Sequence, residues 1–183
     1  MKLCFSTFPC GSLNSQELIN VCKLYNMEGI EIRLDAQNNA LGTKDLTELK
    51  KIGELFLENN IKITDLGTSV TMYDYDKELV DTTILCGKMA EAMNAQGIRL
   101  FLGNYKARYD YPERPLDYHG IVQALQEVCD HIGKVEVFIE THNEFGTGKA
   151  LFSLLNDVKR DNCKIIWDLM HPIEDGETIY ETW

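Results

Sequence analysis

Little in this sequence breaks it up. It has only 4 prolines in 183 residues, and no stretch rich in Gly, Pro or Ser separates one part from another. A flexible linker between domains is therefore not expected, and no low-complexity tract appears. Long apolar runs are also missing. The longest are strand-length, and the N-terminal MKLCFSTFPC has no sustained apolar stretch. Neither a membrane-spanning helix nor a targeting leader is expected. The 6 cysteines (Cys4, Cys10, Cys22, Cys86, Cys129, Cys163) are scattered without a CxxC pair. Free thiols in a reducing, cytoplasmic setting are the expectation. Positive charge is scarce too: 18 Lys and Arg against 29 Asp and Glu leave a formal net charge of −11. That balance disfavours a nucleic-acid backbone as partner, which wants a basic stripe. It leaves a small sugar phosphate open, because local charge can oppose the average.

What is present is an alternation. The hydrophobic fraction of 44% and charged fraction of 26% suit a folded chain, and the length suits one domain with a sizeable core. Short runs rich in Ile, Val, Leu or Phe predict strands at 2–6, 29–34, 61–66, 98–103, 135–140 and 164–168. Helices are predicted between them, at about 15–25, 44–59, 76–95, 116–132 and 149–160. Asn14 reads as the N-cap of the first helix, with Glu17 at the capping-box position. In the second, Leu46, Leu49, Ile52 and Phe56 recur at helical spacing. A sixth helix is expected to begin near Glu177.

Strictly alternating strands and helices imply parallel strands joined by right-handed crossovers. A repeat of roughly 30 residues is that of a (β/α)₈ barrel. The rival is an open doubly wound sheet, which usually carries a Gly-rich turn after its first strand. Here that turn is TFPCGSLNS, with one Gly and no GxGxxG. The expected fold class is thus α/β, a (β/α)₈ TIM-barrel type with about six parallel strands present and two units short of eight.

In parallel barrels the reactive groups sit at the C-terminal strand ends. Those ends read Ser6–Thr7; Glu31, Arg33 and Asp35; Asp65 and Gly67–Thr68–Ser69; Gly103–Asn104; Glu140–Thr141–His142–Asn143; and Asp168 followed by His171. The last two are the most informative. VEVFIE and KIIWD both turn from an apolar run to a carboxylate at the tip. Hard oxygen ligands converging from neighbouring strands are what a divalent cation needs. His171 is expected in the loop after the sixth strand, within reach of a substrate hydroxyl. His142 shares the parity of Glu140 on a strand of period two.

The segments FIETHNEFGTGKALFSLL and IIWDLMHPIEDGE, with GIEIRLD and KITDLGTS, resemble the xylose-isomerase-like barrels. That group spans sugar phosphate isomerases and epimerases, ketose 3-epimerases, inosose dehydratases and endonuclease-IV-type repair enzymes. The resemblance implies that residues 1–183 are a single domain of this type, C-terminally truncated and lacking the last two βα units. It implies a divalent metal (Mn, Mg, Co or Zn) held by Glu140 and Asp168, with Glu140 also an acid/base carboxylate. His171 and His142 would contact the substrate. The group's third ligand, a His on strand seven, and the opposing Glu on strand eight have no counterpart here. The implied activity is sugar or sugar-phosphate isomerisation or epimerisation, by proton transfer through an enediolate. An inosose dehydratase-type lyase is the alternative, and a non-catalytic fragment another. An abasic-site endonuclease wants more histidines than 4 and a basic rim. Self-association through the apolar edges of the first and sixth strands is also expected.

Other residues have plainer readings. Glu31 and Arg33 share parity and suggest an internal ion pair, with Asp65 similar. Cys4 reads as core filler. His119 and His131 belong with a helix and read as structural. Lys106, Arg108 and Arg114 could face an anion or only solvent. GTGKA at 146–150 resembles a phosphate-binding loop, but Asn143 stands where its first Gly would be and Ala150 replaces the required Ser or Thr. Its backbone amides still open a helix and could bind an anion weakly.

Overall fold

The computed structural model describes residues 2–10, 13–34, 41–103 and 116–183. Asp35, Asn104, Lys106, Arg108 and Arg114 lie outside the described residues. Six strands form one sheet in the order β1-β2-β3-β4-β5-β6. They are β1 (Cys4–Ser6), β2 (Gly29–Arg33), β3 (Lys62–Met72), β4 (Gly97–Leu102), β5 (Glu136–Glu140) and β6 (Cys163–Ile166). The pairs β1–β2, β2–β3 and β5–β6 are parallel. Helices α1 (Ser15–Leu24), α2 (Leu46–Glu58), α3 (Lys77–Ala92), α4 (Tyr118–His131) and α5 (Gly148–Val158) connect successive strands. Two short helices follow β6, α6 (Met170–Glu174) and α7 (Ile179–Thr182). This is an incomplete (β/α)₈ arrangement of six parallel strands.

Local chemistry sets the helix ends. The Asn14 side chain accepts a hydrogen bond from the Glu17 amide, and the Glu17 carboxylate accepts one from the Asn14 amide, the capping box expected from sequence. Asp45 caps α2 by accepting from the Thr47 and Glu48 amides, and Asp117 caps α4 by accepting from the Gly120 amide. The helix-to-strand turns need a left-handed residue to stop the helix. Asn26, Asn60 and Asn94 supply it after α1, α2 and α3 (φ 52, 59 and 54°). Asn tolerates this conformation better than most residues because its short polar side chain bonds locally.

The chain forms two compact units. The first comprises Met1–Ser69, Leu85–Ile98 and Gly133–Val135. Its core holds Leu18, Ile19, Ile30, Ile32, Leu49 and Phe56, all fully buried. Each such side chain contributes on the order of 2 kcal/mol by leaving water. Gly53 of α2 packs directly on backbone: an added Cβ would lie 2.3 Å from the Met93 carbonyl oxygen. The second unit comprises Val70–Ile84, Arg99–Ile132 and Glu136–Trp183. Its core includes Leu100, Leu102, Leu125, Val137, Ile139 and Leu151, again fully buried.

Three expectations are corrected. β3 does not stop at Leu66 but runs to Met72, because Val70 and Met72 keep burying alternate positions of a β-branched, small-residue stretch. Cys4 is exposed rather than core, on a strand that among the described residues pairs with β2 alone. His171 lies not in a loop but within α6. The helix expected near Glu177 is α7, which begins at Ile179 behind its N-cap Thr178 and is separated from α6 by Gly176 at φ 88°. Among the described residues, no helix is long and apolar enough to cross a membrane.

Candidate metal centre

The second unit brings together the tips of β5 and β6. Glu140 ends β5 opposite Ile166, and Asp168 follows two residues later. Thr141 locks these tips. Its amide donates to the Ile166 carbonyl (3.0 Å), and its hydroxyl accepts from the Asp168 amide (2.9 Å) and donates to the Asp168 carbonyl (3.1 Å). Thr141 is buried. Its side chain is therefore the strut that places Asp168 beside Glu140, a role the sequence does not announce.

One ligand atom each from Glu140, Asp168 and His171 lies within 4.8 Å of the other two. Asp168 divides its oxygens: Oδ1 accepts from the Met170 amide at 2.8 Å, and Oδ2 lies 3.8 Å from His171 Nε2. Capping the following turn and facing the cluster are thus compatible in one carboxylate. Glu140 Oε2 lies 3.3 Å from Nε of Arg99, which projects from β4 and is almost fully buried. A buried guanidinium beside a largely buried carboxylate supplies the counter-charge that makes this burial tolerable. Arg99 was not singled out from sequence; IRLF reads as a plain apolar strand, and the sole signal was one charge inside it.

Three rings follow Arg99 in a chain of contacts. The guanidinium lies over Phe101 (4.5 Å to its centroid), Phe101 meets His142 (4.9 Å), and His142 meets His171 (4.3 Å), both ring pairs edge to face. The turn after β5 holds His142 there. Phe145 pairs back with His142, Asn143 adopts φ 51°, and the Asn143 amide side chain donates to the Leu102 carbonyl at 2.9 Å. The four residues nominated from sequence, Glu140, His142, Asp168 and His171, therefore share one neighbourhood.

The other candidates have contacts of their own. In the first unit Glu31 accepts a hydrogen bond from the Ser6 hydroxyl. Arg33 donates to Ser69 at 3.0 Å and lies over the Phe8 ring. Asp65 is buried and accepts from the Thr64 hydroxyl. His119 is exposed on α4, and the His131 ring meets the Glu127 carbonyl oxygen. The GTGKA amides are occupied by the chain itself: the Glu177 carboxylate accepts from Gly148 (2.7 Å) and Lys149 (3.3 Å). Its two glycines make room for the C-terminal segment. A Cβ on Gly146 would lie 2.0 Å from Asp175 Oδ2, and one on Gly148 2.9 Å from the Thr182 carbonyl oxygen.

The family profile described as xylose isomerase-like TIM barrel matches residues 19–182, so the chain belongs to that family. Solved structures share its fold at low identity. A xylose isomerase domain containing protein from Salmonella typhimurium LT2 is 14% identical, with TM-score 0.78, over 98% of this chain and 66% of that one. The probable 3-DHS dehydratase of Bacillus anthracis, involved in petrobactin synthesis, is 18% identical, with TM-score 0.71, over 97% and 66%. D-allulose 3-epimerase from a Methylomonas species, in complex with D-allulose, is 16% identical, with TM-score 0.67, over 99% and 67%. The chain spans about two thirds of the length of these structures. No curated protein matches the sequence.

Proposed function

We propose that this chain carries the metal-binding strand pair of a divalent-metal-dependent sugar or sugar-phosphate isomerase/epimerase. The observation that carries the reading is the convergence of Glu140, Asp168 and His171 within 4.8 Å. Two carboxylates and an imidazole form a donor set suited to Mn²⁺, Mg²⁺, Co²⁺ or Zn²⁺. Metal–ligand bonds are about 2.0–2.2 Å for most of these ions, so small side-chain rotations would close the cluster. Glu140 and Asp168 would hold the ion, and bound there it would supply positive charge to adjacent substrate oxygens.

The chain's own residues do the rest. Glu140 is the carboxylate placed to take or return a proton at a substrate carbon beside a carbonyl. Arg99 balances its charge from beneath. His142 presents a ring N–H toward substrate oxygens, and the Phe101–His142 contact keeps this wall in place. The likeness to the fold of a D-allulose 3-epimerase supports a small sugar as substrate.

The test is direct. Mn²⁺ binding to the protein is measured by calorimetry, for wild type, Glu140→Gln and Asp168→Asn. Ketoses and inososes are then screened for epimerisation or loss of water with Mn²⁺, Mg²⁺ or Co²⁺. Saturable Mn²⁺ binding that weakens at least about tenfold in both variants supports the site. Equal binding by all three proteins would remove it. Loss of water from an inosose, without epimerisation, would favour the dehydratase class.

A further inference from the structure

His171 and Glu174 lie three residues apart in α6, and Asp168 precedes that helix, three residues before His171. The imidazole lies between the two carboxylates. Its Nε2 is 3.8 Å from Asp168 Oδ2, and its Nδ1 is 3.4 Å from Glu174 Oε2. His171 is largely buried, whereas Glu174 is half exposed. The ring face is closed by His142, whose centroid is 4.3 Å away. Packing therefore fixes the plane of the ring, while Glu174 sits at the nitrogen pointing away from the cluster.

We propose that Glu174 is a positioning residue for His171. It takes the Nδ1–H and so commits Nε2, with its lone pair, to the centre shared with Glu140 and Asp168, as the third protein donor to a divalent cation. A neutral imidazole has one donor and one acceptor nitrogen, and the hydrogen bond at one decides which is left to bind. A carboxylate behind a ligating histidine also makes the ring a stronger donor, and losing such a partner typically weakens metal affinity about 10–100-fold. This rests on the metal reading of Glu140 and Asp168. It gives Glu174 a role, and His171 a role different from substrate contact.

The experiment uses the full chain in two measurements. The first needs no metal: the His171 tautomer is read by nitrogen NMR at a pH where imidazole is neutral, in wild type, Glu174→Ala and Glu174→Gln. The second is Mn²⁺ affinity of the same proteins, with Glu140→Gln as reference. Expected is a single Nδ1–H tautomer in wild type, lost in Glu174→Ala together with about 10–100-fold in affinity. Glu174→Gln, whose amide oxygen still accepts from Nδ1, should keep most of both. An unchanged tautomer in Glu174→Ala overturns the proposal, as does unchanged Mn²⁺ affinity. Glu174→Gln binding as weakly as Glu174→Ala would assign the effect to charge and overturn positioning. Unchanged affinity in Glu140→Gln would instead sink the underlying metal reading, and the tautomer would still report on Glu174 alone.

Discussion

The Thr141 hydroxyl holds the Asp168 backbone from both sides, accepting its N–H and donating to its C=O. Two hydrogen bonds from one buried side chain thus determine where the sixth strand delivers its carboxylate. Thr141→Val keeps the shape and removes both bonds, leaving a buried amide and carbonyl without that partner. The expected cost is about 1–3 kcal/mol, read by urea unfolding. Thr141→Ser should recover most of it. Equal stability of the Val and wild-type proteins would show that Asp168 is placed by other contacts.

Arg99 and Glu140 form a largely buried pair, so removing the cation alone should be worse than neutralising both. Arg99→Met is expected to cost roughly 2–4 kcal/mol, since it strands a carboxylate in low-dielectric surroundings. In a Glu140→Gln background the same change should cost less than about 1 kcal/mol. Additive effects in this double-mutant cycle would mean that the two groups are not energetically coupled.

Acid should loosen the C-terminal segment through Glu177. Burial alone would raise its carboxyl, but the Gly148 amide, the Thr182 hydroxyl and the Lys149 amide outweigh it and hold the pKa below the usual 4.5. A carboxyl depressed in the folded state adds stability above its unfolded pKa, and loses it as pH falls through the folded value. Glu177→Gln should therefore be less stable than wild type at pH 7, and the difference should shrink toward pH 3. A difference that is constant with pH would contradict this assignment.

No appreciable binding to abasic duplex DNA is expected at physiological salt, because a net charge of −11 opposes the phosphate backbone. A gel shift across a salt series checks it. Tight, salt-sensitive binding would move the chain toward the endonuclease branch of the family.

Much of the fold was legible because its causes are local. Apolar runs of strand length, Asn14 with Glu17 at a helix start, and the alternation of the two periods gave six strands and five helices in the right order. Boundaries slipped where burial, rather than residue type, set the end. β3 continued through Thr68 and Ser69 because the residues after them, Val70 and Met72, are buried. Cys4 looked like core by residue type, yet type cannot say which residues a one-sided strand leaves exposed.

The site divides in the same way. The sequence by itself determined the carboxylates at the tips of the fifth and sixth strands and the histidines just beyond them, since each position follows from strand period and strand end. Only the tertiary structure decided what surrounds them. Arg99 lies 41 positions before Glu140 and meets it because β4 and β5 are consecutive in the sheet. The His142–His171 contact and the Thr141–Asp168 clamp join residues 29 and 27 positions apart. The GTGKA glycines, read along the chain, suggest a ligand; in space they admit Asp175 and Thr182. Hydrogen bonds and ion pairs act over a few ångströms, so their partners are set by which strands lie side by side, and no local pattern records that.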